Sequence, residues 1–181
     1  MTPKVGNAQL RLYHRRILFD KRCHYGGMDE LDSAIVAALQ ADGRRSNRDL
    51  AAAMGVSPST TLERVRSLRD RGILAGVHYA VDPAQLGRPV QAMITVRLRP
   101  QSRDVVLGFR NFAIQLPETL QVFITTGAED IIMHVAVPST EALRDFVLDS
   151  LTKRREVAGV RTEVVFDHER NHVLAPAPQQ G

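Results

Sequence analysis

Between residues 29 and 72, apolar side chains recur every three or four positions in three short blocks, with polar residues filling the remaining faces. That is the period of a helix half sunk in a core. The first block, "MDELDSAIVAALQADG", places Leu31, Ile35, Ala38 and Leu39 on one face, with acidic residues early and Gly43 beyond its end. The second, "RRSNRDLAAAMG", offers Ser46 as a cap with Asp49 three residues on, buries Leu50, Ala51 and Met54, and stops at Gly55. In the third, "VSPSTTLERVRSLRDRG", Ser57 caps, Pro58 occupies the first turn where its missing N–H costs nothing, and Gly72 ends the helix. Its predicted apolar stripe is Leu62, Val65 and Leu68, bordered by Thr61. Ser59, Thr60, Glu63, Arg66 and Ser67 then face outward, with Arg64 on a flank. "ILAGVHYAVDP" (73–83) reads as an extended segment and "QLGRP" as a linker.

From Val90 the period falls to two. Val90, Ala92, Ile94, Val96 and Leu98 share one face of a strand, and Gln91, Met93, Thr95 and Arg97 the other. "SRDVVLGFRNFAIQLP" follows as a helix with Val105, Val106, Phe109 and Phe112 inward. "TLQVFITT" and "IIMHVAVP" read as strands on either side of Gly127 and Asp130. "STEALRDFVLDSL" is a second helix, capped by Ser139 and burying Leu143, Phe146, Val147 and Leu151, and a last strand runs over 160–166. The order β-α-β-β-α-β is that of a ferredoxin-like unit, so the predicted class is α+β: a helix-turn-helix (winged-helix-like) domain, then a ferredoxin-like domain. The sheet face without helices collects Gln91, Met93, Thr95, Arg97, Phe123, Ile132, His134 and Val165. It is too apolar for water and too polar for a core, which predicts a second subunit against it.

Charge sharpens the first half. The net charge is +4, but residues 1–27 stand at +5 and the rest at −1; within that rest, residues 44–71 hold seven arginines against Asp49, Glu63 and Asp70. Two short helices joined by "MGVS", the second presenting small polar and arginine side chains, match what a helix-turn-helix offers duplex DNA. Small residues let the helix enter the major groove, arginines reach phosphate or guanine, and hydroxyls contact either. The expected DNA-contacting set is Arg44, Arg45, Arg48, Ser57, Ser59, Thr60, Arg64, Arg66 and Ser67. Arg64 is expected to read bases and Arg48 to hold phosphate. A plain three-helix unit with a solvated basic face is the alternative that these residues leave open.

Several classes are set aside by composition. No apolar run approaches the roughly 20 residues that span a bilayer, residues 1–27 lack an uninterrupted apolar signal-peptide core, and the single cysteine, Cys23, excludes an intramolecular disulfide. A cytoplasmic protein is expected. "HERNH" (168–172) matches H-E-x-x-H, which binds zinc only when a helix brings its histidines onto one face. Here it follows a predicted strand, so neither a metal nor a catalytic residue is expected.

With these elements in place, "LDSAIVAALQADGRRSNRDLAAAMGVSPSTTLERVRSLRDRGIL" resembles the DNA-binding domain of the leucine-responsive regulatory protein and AsnC (Lrp/AsnC) family of transcription regulators. "AVDPAQLG" resembles that family's linker and 90–166 its effector domain. The resemblance implies a helix-turn-helix domain (29–82), a linker (83–89) and a ligand-binding and dimerisation domain (90–168), flanked by a basic extension (1–28) without a family counterpart and a tail (169–181). It also implies a dimer through the effector sheets, possible assembly to an octamer or other higher form, and an amino-acid effector with no other cofactor. Gly127 and Asp130 match the family's effector loop, and Ile131 stands where an aromatic is frequent. With Ile124 and Glu163 they form the expected effector set. Thr162 and Val164 are equally placed beside Glu163. Asp130 could receive an ammonium group, or simply cap its turn. Met28 stands where family chains commonly begin, so residues 1–27 read either as an untranslated stretch or as a basic arm. The siroheme decarboxylases resemble the same two-domain architecture, and for that reading His78, Arg97 and His134 are the residues to watch. A structural oligomer with neither activity is the third reading.

Overall fold

The computed structural model describes residues 28–176. The basic extension before Met28, with Cys23, and residues 177–181 of the tail lie outside the described residues. The chain divides into two compact units, one of residues up to His78 together with the segment from Arg170, the other Tyr79–Glu169.

In the first unit three helices, α1 (Glu30–Ala41), α2 (Asn47–Met54) and α3 (Pro58–Asp70), enclose a core of Ile35, Ala38, Leu50, Val65 and Leu68. Their starts are written locally. The side chains of Asp29, Ser46 and Ser57 each accept the N–H three residues on, from Asp32, Asp49 and Thr60, so an otherwise orphaned first-turn donor is satisfied each time. The Ser46 hydroxyl also donates to Asp49 Oδ2 at 2.7 Å. Gly55 and Gly72 lie in the left-handed region, φ 70° and 72°, where a side chain would be strained, and they end α2 and α3. Residues 75–82 form neither strand nor helix, and Asp82 caps a single 3₁₀ turn, Pro83–Leu86, within the stretch expected to be a linker. The tail returns to α1: Gln40 Nε2 donates to the Leu174 carbonyl at 3.1 Å and receives the Leu174 N–H on Oε1 at 2.9 Å.

The second unit is one antiparallel sheet, β1 (Val90–Leu98), β2 (Thr119–Ile124), β3 (Ile131–Val137) and β4 (Val157–Val165), in the order β2-β3-β1-β4. α4 (Arg103–Ala113) follows β1. α5 (Thr140–Asp145) follows β3 and widens into a π-helical turn, Phe146–Leu151. Ala92, Ile94, Val96 and Leu98 of β1 and Ile131, Met133, Val135 and Val137 of β3 enter the core with Phe109, Ala113, Leu143, Phe146 and Leu151. The alternation in β1 is therefore the alternation of the pleat, one face to the helices and one away from them. The register pairs Met93 with His134 and Glu163, and Thr95 with Ile132 and Arg161, so the helix-free face carries the mixed set expected for it.

One helix is rotated from its expected phase. Thr61, not Leu62, belongs to the buried stripe of α3: Thr61 is 0% exposed and Leu62 is 55% exposed. The Thr61 hydroxyl donates to the Ser57 carbonyl at 3.3 Å, which satisfies it without water.

Candidate functional site

The outward face of α3 carries Ser59, Leu62, Glu63, Arg66 and Ser67, all exposed, with Thr60 half-buried at its edge. Arg44 and Arg48 are exposed and Arg45 half-buried on the chain leading into α2 and in its first turn. The hydroxyls of Ser57, Ser59 and Thr60 form a cluster at the N-terminus of α3, Ser57 Oγ lying 2.8 Å from each of the other two. These groups and the first-turn N–H groups together suit an anion or a base edge.

Arg64 is not on that face. Its Nη1 donates to Asp29 Oδ2 at 2.5 Å and to Asp32 Oδ1 at 3.2 Å, while Arg71 Nη1 reaches Asp32 Oδ2 at 3.2 Å. Asp32 is 2% exposed, so a buried carboxylate is held between two cations of α3 and its C-cap. Burial opposes ionisation of Asp29, but the Asp32 N–H and the Arg64 guanidinium outweigh it and hold the carboxyl below its ordinary range. The Arg64 guanidinium is correspondingly pushed up. The expectation that Arg64 reads bases is therefore corrected: the side chain ties α3 to α1. The available signal was Asp32 itself, an acid on the margin of the Leu31–Ile35 stripe that would need a cationic partner once buried.

In the effector unit, the loop between β2 and β3 closes on itself and on β1. The Thr125 N–H donates to the Asp130 carbonyl at 3.0 Å, Thr125 Oγ1 donates to the Glu129 carbonyl at 2.8 Å, and the Asp130 N–H donates to the Val96 carbonyl at 3.0 Å. Asp130 is 5% exposed, and both its carboxylate oxygens are occupied: Oδ2 by the Leu98 N–H at 2.7 Å and Oδ1 by the Gln101 side-chain amide. Asp130 thus anchors the loop to the end of β1 and is not an open carboxylate awaiting an ammonium group. Ile131, also in the expected effector set, is 0% exposed and pairs with Val96 on the helix-covered face. Its neighbour Ile132 takes the other face, because successive strand residues alternate. Ile124 lies opposite Ile131 on β2, and Glu163 lies opposite Met93 on the helix-free face of β4. Three strand spacings, about 14 Å, separate those two strands, so the expected set does not converge within one chain. Gly127 remains: it is exposed, outside the left-handed region, and a Cβ there would meet nothing within 4 Å. Among the described residues nothing requires glycine at that point.

On the helix-free face His134 Nε2 lies 2.9 Å from Gln91 Oε1, and its ring meets that of His168 edge-on, centroids 6.0 Å apart. Burial, and secondarily the His168 charge, pull the His134 pKa below its ordinary value. A histidine with a depressed folded-state pKa holds its stabilisation above the unfolded value, about 6.5, and loses it as pH falls toward the folded one. Thermal unfolding followed from pH 7.5 down to 5.0 should show stability declining below about 6.5. His134→Gln, which keeps a donor for Gln91, should flatten that decline; an identical pH profile in the variant would place its origin elsewhere.

His168 is thus turned toward His134. Asp167–Pro176 has no helical residue, so "HERNH" lacks the geometry that its spacing would need for zinc. Arg97 lies over Gly159, its Nη2 3.1 Å from where a Cβ would stand. Met93, the β1 partner of His134, is four residues from Arg97, about 13 Å along the strand, so Arg97 and His134 do not form one cluster.

The comparisons agree with both units. Residues 28–69 match the AsnC-type helix-turn-helix domain and residues 91–173 the Lrp/AsnC ligand binding domain. The HTH-type transcriptional regulator AldR of Mycobacterium tuberculosis is 37% identical over 156 residues, covering 86% of this chain and 87% of its own. A transcriptional regulator of Neisseria meningitidis, solved as its L-Met complex, superposes with a TM-score of 0.73 at 28% identity over 80% of this chain and 93% of its own. AsnC of E. coli does so at 0.72 and 28%, over 81% and 97%. With both domain models matched in series along the chain and a curated relative at this identity and coverage, the chain belongs to the Lrp/AsnC family of transcriptional regulators.

Proposed function

We propose that this regulator binds duplex DNA through the outward face of α3 and the arginines around α2, and that a free amino acid bound by its assembled effector domains changes that affinity. The observation that carries the DNA reading is the exposed row of Ser59, Arg66 and Ser67 on a helix whose other charged flank is committed to α1. The effector reading rests on the Lrp/AsnC ligand binding domain, on the L-Met complex of the Neisseria regulator, and on the open space at Gly127. Self-association through the helix-free sheet face accounts for Met93, Ile132 and the 45%-exposed Phe123 on it. The reading requires no catalytic residue and no cofactor besides the effector, and it places the protein in the cytoplasm with the DNA. Among the described residues no helix is long and apolar enough to cross a membrane.

The test is fluorescence anisotropy of the full chain on duplexes enriched from a randomised pool, across a salt series. Each phosphate-neutralising arginine adds about one unit to the log–log salt slope. Arg48→Ala is expected to weaken binding on every sequence and lower the slope by about one. A salt-independent interaction, or a slope unchanged in Arg48→Ala, would contradict the role. For the effector, thermal-shift measurements with L-Met and L-Leu are the first probes. Gly127→Val should leave the unliganded melting temperature unchanged, since space is open there, and remove the ligand shift. A shift that persists in Gly127→Val places the ligand elsewhere.

A further inference from the structure

Leu62 is the side chain on α3 that the fold does not explain. It stands one position after buried Thr61, one turn from Ser59 and from Arg66 on the outward face, and is 55% exposed. The core of this unit closes with Thr61, Val65 and Leu68 and leaves Leu62 outside it. A single exposed leucine on a protein surface is ordinary. Its position is what matters: Ser59, Glu63 and Arg66 around it can all hydrogen-bond, and apart from Pro58 in the first turn Leu62 is the one apolar side chain exposed on α3. Base-pair edges in the major groove are likewise polar, with one apolar exception, the C5-methyl group of thymine.

We propose that Leu62 is a specificity-determining residue that packs against a thymine methyl in the operator, while Ser59 and Arg66 on either side take polar or phosphate contacts. This rests on the DNA-binding reading above and deepens it. Leu62 covers the methyl, both surfaces leave water, and a cytosine at that position lacks the group to be covered. The arginines supply affinity on any sequence; Leu62 supplies a preference for thymine at one position.

The experiment is a deoxyuridine scan. Duplexes enriched from a randomised pool by the full chain are remade with each thymine replaced singly by deoxyuridine, which removes the methyl and nothing else. For the wild-type chain, one replacement is expected to weaken binding about three- to tenfold. In Leu62→Ala the intact duplex should bind as weakly as the wild type binds the replaced one, and the replacement should cause no further loss. Leu62 is outside the core, so Leu62→Ala should keep the wild-type melting temperature, and this is checked alongside. A deoxyuridine response of equal size in wild type and Leu62→Ala, or no thymine-sensitive position at all, overturns the assignment while leaving DNA binding intact. Failure to enrich any duplex overturns the DNA-binding reading itself, and the Leu62 assignment with it.

Discussion

Asp130→Ala is expected to lower the stability of the effector unit by about 2–3 kcal/mol, because it orphans a buried backbone donor and removes two hydrogen bonds to a charged acceptor. For a unit of this size that corresponds to about 10–20 °C in melting temperature. The Leu98 N–H is the decisive group: it lies at the end of β1, two residues beyond Val96, whose pairing with Ile131 is the last between β1 and β3, and it is bonded to Asp130 Oδ2 instead. Gln101 is exposed and regains water. Asp130→Asn should cost much less, about 1 kcal/mol, since its remaining oxygen can accept from Leu98 while its amide donates to Gln101 turned over to present Oε1. Calorimetry on the full chain separates the outcomes. An Asp130→Ala variant as stable as wild type would mean the anchor is dispensable. Where Asp130→Ala is destabilised as expected, a loss of effector response in it is read as displacement of the loop that Asp130 anchors.

Arg64→Ala is expected to destabilise the helix-turn-helix unit by about 1–2 kcal/mol, the range for charge-assisted hydrogen bonds reduced for partial solvent screening. The screening is real, as the Arg64 and Asp29 side chains are each 40% exposed, but Asp32 is not screened and would be left with Arg71 alone. The unfolding transition should move down by about 5–10 °C. Below that transition, DNA affinity should stay within a few-fold of wild type with base preference unaltered. A base-reading arginine behaves differently: its removal costs about 1–3 kcal/mol of discrimination at one position and leaves stability alone. Repeating the duplex enrichment with Arg64→Ala decides between them. A changed operator preference at wild-type stability would return Arg64 to the DNA.

The residues that could be placed correctly from the chain alone are those whose partners are close in sequence. Ser46, Ser57 and Ser139 each cap a helix by accepting an N–H three residues on, a bond contained within one turn. The period-two run from Val90 likewise carries its own assignment, because the pleat turns every second side chain to the same face whatever lies beyond it. These local rules were enough for the element order and the helix-free face. They did not reach the contacts that decide roles. Arg64 meets Asp29 and Asp32 from 35 and 32 residues away, and Asp130 meets Leu98 from 32. Leu62 and Thr61 differ by 100° of helix rotation, and Ile131 and Ile132 by one face of a strand. The sequence by itself determined where elements start, stop and repeat, since those depend on bonds between near neighbours. Which face of each element met another element, and so which arginine was consumed by packing and which leucine was left outside, was decided only when distant segments came together and buried charges had to find partners.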